Sequence, residues 1–338
     1  MWRIRGELLF SRKRFGRDRN RIVAAAGRTI KNPTAFVMFL LALVFTGALE
    51  KVAARSQLTT GTSRNAMLTT IEDKNSKSAP FYQALQKALK KRKIKLDNIC
   101  SVSDPVGRRI LEEYGAMFLA VKKVLPPPVC VFTTEEQVTS FQDAAGFVTE
   151  TVADSEIELQ AEAMKALLKA REEAQKEGLD ITPRGGAEAA RRNYDDSLRL
   201  WDTRFLPALD YWLGQGRLTA EQVAHLRSLP LHGQVAEVLE LEKNGIFFSK
   251  DLSKSILYSI AAPGSSQHIA MLALDVTEFD NPRVREILAK HGWFQTVLSD
   301  LPHFTFLGLK EKDLPKQGLK SVVVDGQTFW VPNAVAEG

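Results

Sequence analysis

Cysteine and histidine are scarce in this chain, and several signatures of common chemistry are missing. With only two cysteines, Cys100 and Cys130, one chain can build neither a four-cysteine zinc site nor an all-cysteine iron–sulfur centre. There is no phosphate-cradling glycine loop, no dinucleotide fingerprint and no internal repeat. Wholesale disorder is excluded too, since 44% of residues are hydrophobic and 25% charged, an ordinary globular balance. At 338 residues the chain has room for one large or two modest domains and a substantial core.

The net charge of +6 is small but unevenly placed. Ten Lys and Arg residues fall between Arg3 and Lys31, opposed only by Glu7 and Asp18. An apolar run, 34–49, follows this basic segment, 1–33. It is a little shorter than the roughly 20 residues that span a bilayer comfortably, yet flanking residues and local thinning let it reach across. The positive-inside rule then holds the basic end in the cytoplasm and sends the chain after Glu50 outside. A cleaved signal peptide would want a shorter basic region and a clear small-x-small site; 52–54 offers a weak one. A buried helix would not need so dense a basic flank, and a nucleic-acid-binding arm would not explain the apolar run. The reading adopted is a single-pass signal anchor, with no nucleic-acid partner.

Residues 50–80 are polar and read as a linker. Segment 81–150 forms the first part of the extracytoplasmic region. Within it, 81–96 is helical in composition and strongly basic. The commoner fate of such a helix is a solvated face; contact with anionic lipid or an anionic wall polymer is the alternative. A short helix is expected over 104–114, and strands over 116–121 and 129–132. Thr133-Thr134-Glu135-Glu136 has the spacing of a capping box and opens a helix toward Gln142. An even cysteine count outside the cytoplasm points to one disulfide, Cys100–Cys130, contributing roughly 3–4 kcal/mol on the chain-entropy model.

Residues 154–176 read as the clearest helix, ended by Gly178, and 187–212 as another. A further helix starts near Thr219, and 245–250 reads as a strand edge. His225 and His232 have no partner motif and read as structural or surface residues. His291 ends a helix that opens at Asn281-Pro282, where an imidazole can cap carbonyls. Near the C-terminus, Asp325-Gly326 between two β-rich runs is a hairpin signal.

Chemistry concentrates in 265–308. Strand alternation over 271–276 puts Met271, Ala273 and Asp275 on one face. A second strand begins at His303, with His303, Thr305 and Leu307 on one side. If the two strands pair, Asp275 and His303 face one cavity. Together with His268 they make two imidazoles and one carboxylate, a set that leaves the fourth position open on a tetrahedral zinc. Asp300, three residues before His303, is placed to take a proton from an activated water.

Ser266-Gln267-His268-Ile269-Ala270-Met271-Leu272-Ala273-Leu274-Asp275 and Asp300-Leu301-Pro302-His303, followed by Phe304 and Gly308, resemble the zinc D-alanyl-D-alanine carboxypeptidases of the vancomycin-resistance type. That family carries S-x-H-x-x-G-x-A-x-D and then Glu-x-x-His, an aromatic and a glycine. Here Met271 stands in place of the glycine and Asp300 in place of the glutamate. Thr182-Pro183-Arg184-Gly185 holds the place of the family's substrate-binding arginine, without its neighbouring Tyr and Ser; a solvent-exposed loop arginine is the alternative reading.

The resemblance covers about half the chain and implies an α+β fold, with a small antiparallel sheet, helices packed against it and the zinc site at the sheet. A zinc peptidase domain with a helical insertion would span 151–310, and 311–338 would be a hairpin tail. The cofactor implied is Zn2+, held by His268, Asp275 and His303. Asp300 is then general base and acid, Ser266 contacts substrate or steadies the histidine loop, and Arg184 meets substrate charge or the oxyanion. The implied reaction is removal of a terminal D-alanine from a peptidoglycan stem peptide, at the periplasmic side of a bacterial cytoplasmic membrane. A peptidoglycan endopeptidase, an inactive membrane-anchored wall-binding module, or a scaffold with a coincidental site are the alternatives.

Overall fold

The computed structural model describes residues 78–335, apart from Val102 and Ser299. The expected basic segment, membrane anchor and most of the linker lie outside the described residues. No helix among those described is long and apolar enough to cross a membrane.

Helix α1 (Pro80–Lys91) buries Phe81, Tyr82, Leu85 and Leu89 along one stripe and turns its lysines outward. The single turn α2 (Leu96–Ile99) leads to Cys100, which is bonded to Cys130. Helix α3 (Pro105–Tyr114) starts where the Asp104 carboxylate accepts from the amides of Val106 and Gly107. The strand expected at 116–121 is instead a 3-10 turn, Gly115–Leu119. All five of its residues are buried, so it has no alternation to lay on a sheet. The strand expected at 129–132 is also absent. Its amides go to two separate segments, Cys130 to the Ile99 carbonyl and Phe132 to that of Gly264, so no ladder can form.

Helix α4 (Glu135–Ala145) is capped by Thr134, which accepts from the Gln137 amide, one residue later than the predicted box. The long helix expected over 154–176 is two elements. Strand β1 (Val148–Val152) pairs antiparallel with β2 (Ser155–Leu159), and only then does α5 (Ala161–Lys176) begin. Ile157 and Leu159 alternate into the core with strand period, which overrides the helical composition around them.

The predicted helix at 187 starts seven residues later, because Gly186–Ala189 forms a 3-10 turn. Helix α6 (Tyr194–Gly214) opens with a capping box of Asn193 and Asp196, and α7 (Ala220–Ser228) with one of Thr219 and Gln222. Helix α8 (Leu231–Lys243) completes this group, and 245–250 is irregular rather than a strand. These three helices and α3 surround a second apolar core built on Trp201, Phe205 and Phe248.

The first core surrounds the sheet. Strand β3 (Ala273–Asp275), helix α9 (Pro282–Lys290), β4 (Trp293–Phe294) and β5 (His303–Phe306) follow in order. The sheet order is β3-β5-β4, all antiparallel, and Asp275 lies directly opposite His303. A hairpin of β6 (Leu319–Val324) and β7 (Gln327–Pro332) turns at Asp325-Gly326, both with positive φ. The fold is therefore α+β, with small antiparallel sheets and helices packed on them.

Candidate metal centre

The site is assembled from a loop and two paired strands. Between Ala262 and β3 the chain makes successive tight turns, with the amides of Ser265, Ile269, Ala270 and Met271 each bonded three residues back. Gly264 opens this loop with φ +76, and a Cβ there would lie 1.9 Å from the Phe132 carbonyl oxygen, so only glycine fits. Met271 closes it with φ +53, the left-handed conformation in which glycine is most at ease. Ser266 accepts from the His268 amide at 3.3 Å and so fixes the histidine loop.

Three side-chain atoms converge. His268 Nε2 lies 3.1 Å from His303 Nδ1, and the Asp275 Oδ1 atom lies 3.3 Å from each of them. The far side of each ring decides what these atoms carry. His268 Nδ1 faces the Ala190 carbonyl oxygen at 3.0 Å, which can only accept, so the proton sits on Nδ1. His303 Nε2 faces the Gln267 side-chain oxygen at 2.8 Å. That amide cannot be reversed, because its nitrogen donates to the Tyr114 carbonyl at 2.8 Å. With a proton on each outer nitrogen, both inner nitrogens can turn lone pairs to the same spot as a carboxylate oxygen.

The electrostatics agree. Burial, helped by the Arg192 charge, pulls the His268 imidazole down to about 4, so it is neutral near pH 7. Burial alone would raise the Asp275 carboxyl, but His268 and His303 hold it well below the usual carboxylate range. Three electron-pair donors at such spacing repel one another unless a cation, a proton or a metal ion, sits among them. Their ligand atoms all lie within 4.8 Å, and the cluster can hold a metal ion.

The remaining candidates are placed as follows. Asp300 is half-buried beside the cluster, and its carbonyl accepts from the His303 amide at 3.2 Å. Burial pushes its carboxyl up to about 6, and the nearby charge of Asp275 adds to the rise. The Arg184 amide donates to the Asp275 carbonyl at 2.8 Å, but its side chain is exposed and stacks over the Phe279 ring, 5.2 Å from the centroid. The arginine that reaches the cluster is Arg192, which donates to Asp275 Oδ2 at 2.7 Å. Of the other histidines, His232 pairs with Asp104 on the surface and His291 with Glu173.

Sequence patterns assign Gln267 and Arg192 no role. They act through contacts 36 and 83 residues away along the chain; Gln267 fills an unspecified position of the motif and Arg192 lies outside it. Thr305 had a visible signal, strand alternation with His303; its hydroxyl donates to the Gln267 oxygen and lies 2.6 Å from that of Thr296. No family model, no curated protein and no solved structure matches the chain.

Proposed function

We propose that this chain is a zinc-dependent peptidase of peptidoglycan stem peptides that removes a terminal D-alanine. The observation that carries the reading is the triangle of His268, Asp275 and His303. Ligand atoms bonded at about 2.0–2.1 Å to a tetrahedral zinc stand roughly 3.3 Å apart. The edges here are 3.1, 3.3 and 3.3 Å. The donor set is two nitrogens and one oxygen, which suits zinc and matches catalytic rather than closed structural sites.

A bound zinc supplies Lewis acidity to a scissile carbonyl and to the attacking water. The chain's own residues do the rest. His268 and His303 are each held in one orientation by the oxygen acceptors behind them, and Arg192 holds the second oxygen of Asp275. Asp300, raised to about 6, can take a proton from water and return it to the leaving amine near neutral pH. Being one methylene shorter than the glutamate of the resembling family, it draws the water closer to the backbone. Arg184, on the exposed rim beside β3, would meet the charge of the substrate. The preference for D-alanine rests on the resemblance, and an anchor at 34–49 would set the domain beside the wall.

The test is zinc content and D-alanine release from a stem pentapeptide, using the full chain in neutral detergent. Stoichiometric zinc and release are expected for the wild type. Asp300→Asn should keep zinc and lose about 10²–10⁴ in rate, the usual share of a general base. His303→Ala should lose the metal. Zinc with cleavage of crosslinked peptides alone would move the assignment to an endopeptidase, and a wild type that takes up no zinc on reconstitution overturns the reading.

A further inference from the structure

Many arginines among the described residues are ion-paired. Arg171 pairs with Asp180, Arg191 with Glu158, Arg199 with Glu188, Arg227 with Asp210 and Arg283 with Glu177. The basic helix α1 differs. Between Pro80 and Leu96 there are six cations and no carboxylate. The outward lysines of α1 have no ion-pair partner among the described residues.

Three of these six cations converge on one hollow with two from other segments. Lys87 and Lys91 of α1, Arg92 after it, Lys122 and Lys316 line one cleft of about 270 Å³, between α1, residues 119–122 and the turn before β6. No acidic side chain lines it. Ala84 and Ala88 leave space between the lysines, and Gln317 adds an amide. Arg92 is half-buried, and its guanidinium is held by the carbonyls of Val124, Ala120 and Val121 at 2.9, 3.0 and 3.0 Å. Carbonyl dipoles orient that charge without cancelling it. Five positive charges around one hollow repel one another, and the repulsion is relieved by an anion placed among them.

We propose that this cleft is a binding site for a phosphate-bearing anion, a pyrophosphate or phosphate ester. The charge count sets the class. A single carboxylate would leave most of the positive charge uncompensated, whereas a phosphate group carries close to two negative charges and three acceptor oxygens. Lysine ammonium groups bind phosphate as point charges, with donors free to rotate onto those oxygens. The concavity suits a compact head group. The site is separate from the metal centre and does not depend on the peptidase reading.

The test titrates inorganic pyrophosphate calorimetrically into the full chain in neutral detergent at low ionic strength, where screening is weak. Saturable binding is expected. Lys91→Gln, Lys122→Gln and Lys316→Gln should each weaken it about tenfold, the effect of losing one charged hydrogen bond. Lys165→Gln and Lys169→Gln, exposed on α5 outside the cleft, should leave it unchanged. Zinc content should be untouched in all five, which separates this site from the metal centre. Phosphatidylglycerol doped into the micelles distinguishes the source. Competition with pyrophosphate identifies a lipid head group as the occupant, and retained pyrophosphate binding without competition identifies a soluble phosphate compound. Absence of saturable binding by either probe, or equal weakening in the α5 controls, overturns the proposal.

Discussion

The Gln267 amide shows how a residue at an unspecified position of the motif shapes the candidate metal centre. Tyr114 takes its nitrogen, so its oxygen is committed to His303 Nε2 and the Thr305 hydroxyl. That fixes the proton on the outer nitrogen of His303 and leaves Nδ1 free to bind. Gln267→Leu removes the acceptor while keeping most of the volume. Metal affinity should fall about 10–100-fold, the usual effect of losing such a partner. Gln267→Glu keeps an acceptor for the ring but turns its second oxygen on the Tyr114 carbonyl, so it should recover only part of the loss. Competition against a chelating dye reads both. Equal affinity in the leucine variant would show that the ring is oriented by packing alone. Met271 makes a different point at the same scale: it keeps the left-handed turn that glycine serves in the resembling motif, at a cost of about 1–2 kcal/mol.

Among the elements, the stretch from Val124 to Phe132 has no helix or strand to hold it, and the Cys100–Cys130 bond ties it down instead. The bridge closes a separation of 30 residues. Cys100→Ala with Cys130→Ala should therefore lose about 3–4 kcal/mol on the chain-entropy estimate. Urea unfolding of the double variant, beside oxidised and reduced wild type, measures this. A double variant as stable as the oxidised protein would mean that packing around Ile99 and Phe132 suffices.

The same contrast explains what could be read from the sequence. The β6–β7 hairpin and the starts of α3, α7 and α9 are set by local chemistry: Asp-Gly, Asp-Pro, Thr-x-x-Gln and Asn-Pro. The β3–β5 pairing was legible as well, because alternation put Asp275 and His303 on matching faces, and those three ligands are the part of the site with a pattern. Strand β2 was not, since its five residues run into a helix of similar composition and only Ile157 and Leu159 mark the period. The segments at 116–121 and 129–132 have apolar residues suited to strands but no partner at hand, a fact of tertiary structure. Arg192 and Gln267 escaped for that reason too.

For the molecule as a whole, the two cores meet at Tyr114. Its ring lies in the helical core, and its carbonyl anchors Gln267 beside the His268, Asp275 and His303 cluster. The stability of the helical core is tied to pH through Glu242, which is buried there and accepts from the Ile256 amide at 2.6 Å. Burial raises its carboxyl above the ordinary value, against the hydrogen bond from the Ile256 amide. An unfolded glutamate titrates near about 4.3. Over the interval above that value the folded chain holds the proton more firmly than the unfolded one. The resulting stabilisation is complete below the unfolded pKa and is lost as pH rises through the folded one. Glu242→Gln keeps the acceptor for Ile256 and cannot ionise. In metal-free protein, the urea midpoint of the wild type should thus fall relative to Glu242→Gln as pH climbs past about 4.3, and the difference should level off once the group is charged. Parallel profiles would mean that water screens the carboxylate, and that the helical core imposes no pH limit through this residue.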